Sequence, residues 1–229
     1  KGVLISDGTE LVTTGAVSAA ALTASESVIA IAAEEGLAAQ SLKLTRKDAT
    51  KGVPQENILS DCAVYVNGSM SVAGNLQLLN SDIYLRDYSG KNKAQGLTVK
   101  GALAVDDSSL STTGTVSAAA LTATDSSISI AAQEGLAAQS LKLTRKEVIK
   151  GTPQDNILTN CDVYVNGSMS VAGNLQLQDS YLALRDYSGK KKAMGLSVKG
   201  DMVLSSDSYL KLTGALSAKN LTLEGGSYL

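Results

Sequence analysis

Carboxylates are the side chains in this sequence best placed to act as a catalytic pair. The chain has no His, which removes the imidazole base, every Ser-His-Asp or Cys-His arrangement and any His-ligated metal. Asp82 with Asp87 and Asp106 with Asp107 are the candidate pairs. Each lies in a polar stretch that reads as a solvated turn. Cys62 and Cys161 are too few to complete a four-Cys zinc site. The phosphate-cradling pattern Gly-x4-Gly-Lys-Ser/Thr and the calcium-loop series Asp-x-Asp-x-Asp-Gly are both missing. These residues assign no catalytic group, no metal and no cofactor.

The remaining reactive positions repeat. Cys62 and Cys161 occupy one repeat position. They read either as small buried residues or as an interchain contact, which would need a surface or axial place. Arg46, Lys47, Tyr88 and Lys91, with their counterparts Arg145, Lys146, Tyr187 and Lys190, are candidate loop contacts to a receptor or glycan, or simply a solvated surface. Asn67-Gly-Ser, Asn166-Gly-Ser and Asn220-Leu-Thr match the glycosylation acceptor pattern.

The elements that position these groups follow from an internal repeat. Leu11–Val99 realigns without a gap on Leu110–Val198, with about three positions in four identical. Residues 1–99 form a first repeat, 100–198 a second and 199–229 part of a third. The chain reads as an excerpt of a longer one. Within each repeat, 64–78 alternates apolar and polar side chains for 15 residues, the mark of extended strand with one buried face. Gly15, Gly68, Gly74, Gly101, Gly114, Gly167, Gly173, Gly200 and Gly214 fall in phase with the inward positions. A glycine there lets backbone approach backbone in a narrow coil. The competing reading is a hairpin, since Asn67-Gly68 and Asn166-Gly167 suit a type I′ turn. Segments 32–40 and 131–139 fit a short helix or turn-plus-strand, and we favour the latter because Gly36 and Gly135 sit in mid-segment. The Pro54 and Pro153 segments lack alternation and read as a loop leaving the coil once per repeat. Arg86–Lys93 reads as a polar turn between strands.

Composition agrees with a thin core: no Phe, no Trp, 8 Tyr and an apolar fraction of 44%. Aromatic side chains bring the largest single burials to a thick core. The net charge is −2, from 20 basic and 22 acidic residues interspersed along the chain, with no basic run of the kind that binds nucleic acid. No apolar stretch is long enough to span a bilayer as a helix, and no signal peptide is recognisable.

The strings Val66-Asn-Gly-Ser-Met-Ser-Val-Ala-Gly-Asn-Leu-Gln-Leu78, Ser81-Asp-Ile-Tyr-Leu-Arg-Asp-Tyr-Ser-Gly90 and Gly200-Asp-Met-Val-Leu204 resemble shaft segments of bacteriophage tail-fibre and tail-spike proteins. The resemblance covers most of the chain. It implies a β-helical or β-prism rod, commonly a homotrimer of wound chains, on a virion surface or otherwise extracellular. The expected fold is therefore all-β, an elongated β-helix or β-solenoid-like repeat rod, intertwined as a trimer. Its expected role is a structural stalk that spaces a receptor-binding tip, with itself as partner and a cell-surface receptor or glycan met by other parts of the full chain. A bacterial extracellular filament or surface adhesin built as a single-chain solenoid is the alternative. A β-helical polysaccharide-active enzyme is the distant one, because near-identical copies suit a rod better than a unique active site.

Overall fold

The structure is a computed structural model describing residues 3–19, 21–31, 40–44, 48–50, 53–54, 56–87, 94–130, 139–144, 147–149, 152–153, 155–186 and 191–229. It is all-β, with no helix among the described residues. The strands lie in three long ladders, all parallel. The chain runs through the first, second and third ladder in turn. It then returns to the first beside its previous strand, so each circuit is one coil. Ten first-ladder strands mark the coils. They are Val3–Asp7, Ala21–Ser25, Glu56–Ser60, Asn75–Leu79 and Ala102–Asp106, then Ala120–Thr124, Asp155–Thr159, Asn174–Gln178, Asp201–Ser205 and Asn220–Leu223.

Register explains the 99-residue period. Val3 pairs with Ala21, Thr23 with Ile58, Glu56 with Asn75 and Leu76 with Leu103. One repeat is thus four coils, with steps of 18, 35, 19 and 27 residues. A coil needs 18 or 19 residues. The surplus in the second coil includes the segments around Pro54 and Pro153, where antiparallel pairs (Asp48 with Pro54, Glu147 with Pro153) leave the ladders as expected. Segments 32–39 and 131–138, most of the helix-or-strand question, lie outside the described residues, while Gln40–Leu44 and Gln139–Leu143 are strands. The ladders run unbroken through the repeat boundary at Lys100-Gly101, since Asn75–Leu79 pairs directly with Ala102–Asp106.

Alternation fills one continuous core. The fourth coil turns in Leu76 and Leu78, then Ile83 and Leu85, then Leu97 and Val99, all buried. Two aliphatic side chains from each of three sides fill the interior. Burying each of these side chains contributes roughly 1.5–3 kcal/mol.

The three corners are turned by different chemistry. Between the second and third ladders the alternation keeps its phase. Ala63–Val72 is a single strand whose first half pairs with Asp82–Arg86 and whose second half pairs with Leu97–Val99. Neither Asn67-Gly68 nor Asn166-Gly167 is therefore a hairpin, because the flanking halves pair with neighbouring coils and not with each other. Between the first and second ladders the phase slips by one. Glu26, Asp61, Asn80, Asp107, Asp125, Asn160, Asp179 and Ser206 all stand at positive φ, from 45° to 53°. The left-handed residue itself stays outside and turns the one after it inward, three positions on from the previous inward residue, and Asp and Asn tolerate that conformation best. Inward Leu78 is thus followed by inward Ser81 and Ile83.

Candidate functional site

Glycines shape two of the corners. A Cβ on Gly101 would lie 2.1 Å from Asn75 Oδ1 and 2.7 Å from the Gly74 carbonyl carbon, while the Gly101 N–H donates to Gly74 O at 3.0 Å. Gly200 repeats this against Asn174 and Gly173. Gly114 and Gly214 meet the backbones of Gln95–Gly96 and Met194–Gly195 in the same way. Gly68, Gly74, Gly167 and Gly173 are buried at the corners. Gly15, in the first coil, is exposed, and a Cβ there would meet only Thr13 Oγ1 at 3.9 Å, whereas its counterpart Gly114 is crowded by the preceding coil.

A buried polar column follows the left-handed corner. Ser81 Oγ accepts the Cys62 N–H at 3.0 Å and donates to Leu79 O at 2.8 Å. Ser108, Ser126, Ser180 and Ser208 act alike, each hydroxyl accepting an N–H from the preceding coil. A buried N–H turned out of its ladder must find an acceptor, and the hydroxyl supplies it. Cys62 and Cys161 stand in this column. They are 4% and 2% exposed, and each S–H donates to a carbonyl two residues back, at 3.0 Å. Of the two readings of these thiols the small buried residue fits this place: they take a serine's position inside the corner, with Cys161 at the floor of the groove described below. Burial raises the Cys161 thiol above its ordinary pKa, assisted by the charges of Asp125 and Asp162 and opposed by backbone hydrogen bonds.

The coil gathers carboxylates along one of its edges. Asp7, Glu26, Asp61, Asp82, Asp107, Asp125, Asp162 and Asp179 stack along the edge between the first and second ladders, where the described corner residues include no Lys or Arg. Lys43 and Lys142 lie on the third ladder, and Lys100, Lys199 and Lys219 on the corner after it. Asn80 and Asn160 interrupt the acidic edge, each donating an amide N–H to a neighbouring carboxylate, Asp61 and Asp125. A groove of about 410 Å³ opens beside this edge, lined by Asp82, Asp107, Asp125, Asp162 and Asp179 with Ser109 and Ser127. The carboxylates step along the edge coil by coil instead of converging. Among the described residues no group of three His, Cys, Asp or Glu is arranged to hold a metal. Asp82 accepts hydrogen bonds from the Ser109 and Tyr84 hydroxyls.

No family model, curated protein or solved structure matches this chain.

Every tyrosine among the described residues lies on the outer surface of the second ladder or its continuation: Tyr65, Tyr84, Tyr164, Tyr181, Tyr209 and Tyr228. Tyr65 and Tyr84 stack with ring centres 5.1 Å apart and an interplanar angle of 6°. Tyr181 stacks on Tyr209, and Tyr209 on Tyr228, at 5.2 and 4.7 Å. The loop candidates Arg46, Lys47, Tyr88, Lys91, Arg145, Lys146, Tyr187 and Lys190 lie outside the described residues. Of the acceptor patterns, Asn67 and Asn166 are buried, and Asn220 is exposed with its amide on Asp201. Sequence reasoning missed the corner column and the aromatic face. The corner had a readable signal: an acidic or amide residue followed by Ser or Cys (Asn80-Ser81, Asp107-Ser108, Asp125-Ser126, Asp179-Ser180) once per coil.

Proposed function

We propose that this chain is a shaft segment of an extracellular or virion-surface fibre, a β-solenoid rod that holds a receptor-binding part at a distance. The observation that carries the reading is the unbroken pairing across Lys100-Gly101, which makes the copies one continuous stack and not a string of beads. At roughly 4.8 Å per strand, ten coils extend about 43 Å and each four-coil repeat adds about 19 Å. Stability in such a stack grows by adding near-identical interfaces. The reading is of a single-chain coil. Each inner coil buries five or six aliphatic side chains by itself, which supports one chain per rod over intertwined chains. A bacterial filament or adhesin built on the same coil remains the alternative, and the near-identity of the copies again speaks against an enzyme.

Small-angle scattering tests the rod. A chain carrying one further 99-residue repeat should be longer by about 19 Å at unchanged cross-section. Growth in cross-section without growth in length would sink the reading.

A further inference from the structure

The second ladder carries two outward columns. Down its middle, register reads Val12, Ala30, Tyr65, Tyr84, Ser111, Ser129, Tyr164 and Ala183 from the first coil to the eighth. Beside it run Glu10, Val28, Ala63, Asp82, Ser109, Ser127, Asp162 and Tyr181. In the middle column tyrosines at the third, fourth and seventh coils therefore alternate with Ser111 and Ser129 at the fifth and sixth and Ala30 and Ala183 at the second and eighth; in the ninth coil the columns go on to Tyr209 and Lys211, beyond the mated stretch. The apolar side chains of this face are open to solvent: Val12 64%, Val28 39%, Tyr65 37% and Tyr164 38%.

We propose that this face pairs with the same face of a second copy, antiparallel, about a two-fold axis between the fourth and fifth coils. The proposal rests on the rod reading and names the surface by which rods associate. An axis along the strand direction keeps each column over itself and reverses the coil order. Tyr84 of each copy then sits over Ser111 of the other, Tyr65 over Ser129, Tyr164 over Ala30 and Val12 over Ala183. Along this middle column every large side chain meets a smaller one. In the flanking column Asp82 meets Ser109, Ala63 meets Ser127, Asp162 meets Val28 and Glu10 meets Tyr181, so no carboxylate opposes another. A parallel, in-register pairing would instead set tyrosine against tyrosine and leave the small positions facing each other. The antiparallel contact is isologous and closes on itself. Eight mated coils, four residues wide, give a flat area of about 500 Å² on each copy. The total of about 1,000 Å² is the lower bound for a specific interface, so the dimer is a weak one.

Sedimentation velocity across the micromolar range, with scattering for shape, provides the test. The wild-type mass should rise from 23.5 kDa towards twice that value. A Tyr65→Ser, Tyr84→Ser, Tyr164→Ser variant should stay at the monomer mass with an unchanged β-type circular dichroism spectrum. Ala63→Cys and Ser127→Cys variants, oxidised together, should give a mixed disulfide-linked dimer that neither gives alone; this arm keeps every tyrosine and decides the matter if the triple variant fails to fold. A monomer at all concentrations overturns the proposal, as does a triple variant that still doubles its mass. Doubling without the mixed cross-link overturns the antiparallel register. Each of these failures leaves an elongated scattering profile intact, whereas a compact monomer would remove the rod reading itself.

Discussion

Gly15 and Gly114 form a matched pair for testing how closely the coils approach. They share a repeat position and the local sequence Thr-Thr-Gly. A methyl group added at Gly114 would lie 2.6 Å from the Gln95 carbonyl carbon, 2.7 Å from Gly96 N and 2.9 Å from Gln95 O. These are backbone atoms held in the ladder, so the corner itself must move by most of an ångström. That movement strains the 2.7 Å bond from Gly114 N–H to Gln95 O. Overpacking of this kind costs about 1–3 kcal/mol, and a weakened buried hydrogen bond adds about 1 kcal/mol. Gly114→Ala should therefore destabilise by about 2–4 kcal/mol. At Gly15 the same methyl meets only Thr13 Oγ1 at 3.9 Å. There the substitution restricts the unfolded chain and should be neutral or stabilising by up to about 1 kcal/mol. Urea unfolding followed by circular dichroism compares the two, and amide exchange around residues 94–118 localises the loss. Repeat stacks unfold in parts, so local protection is the sharper readout. Equal effects at the two sites would refute the close-approach argument.

Two further perturbations address the buried polar groups. Asn156 Oδ1 accepts the Leu121 N–H at 3.0 Å and its amide donates to Asn174 O at 2.8 Å. Asn156→Leu strands both backbone groups in the core and should cost about 2–5 kcal/mol by urea unfolding; a loss under 1 kcal/mol would deny the bridge its role. The Cys161 thiol keeps its proton to higher pH in the fold than in the unfolded chain, because burial opposes the thiolate. The folded state thus holds more protons above the ordinary thiol pKa of roughly 8.5, and stability should fall as pH rises through that range. Cys161→Ser should keep the corner bonds and remove that part of the slope; an identical pH profile in the two proteins would count against it.

How much was legible depended on whether the alternation kept its phase. Residues 64–78 cross two corners with inward positions always two apart, so parallel strand around a greasy axis could be read directly from Val64, Val66, Met70, Val72, Leu76 and Leu78. At Asp61 and Asn80 the left-handed backbone leaves two successive residues outside the core, and the pattern breaks just where the chain turns. A period-2 search sees an end there and not a corner. The serine column was hidden for the same reason. The aromatic face and the acidic edge were hidden for a different one. They depend on steps of 18, 35, 19 and 27 residues, and only the ladder register shows that Tyr65 neighbours Tyr84 or that Asp107 neighbours Asp125. Cys62 illustrates both: its place was plain along the chain, yet its surroundings came from Ser81, 19 residues on.

The antiparallel pairs Asp48 with Pro54 and Glu147 with Pro153 stand outside the ladders, while Asn57 and Asn156, next in the chain, bridge to the coils on either side and the columns keep their register. Such a departure point is a socket. Sequence grafted there would recur at a pitch of about 19 Å, one copy per repeat. Lengthening the scaffold would add display positions in fixed proportion, which makes the number of presented groups a matter of gene length alone.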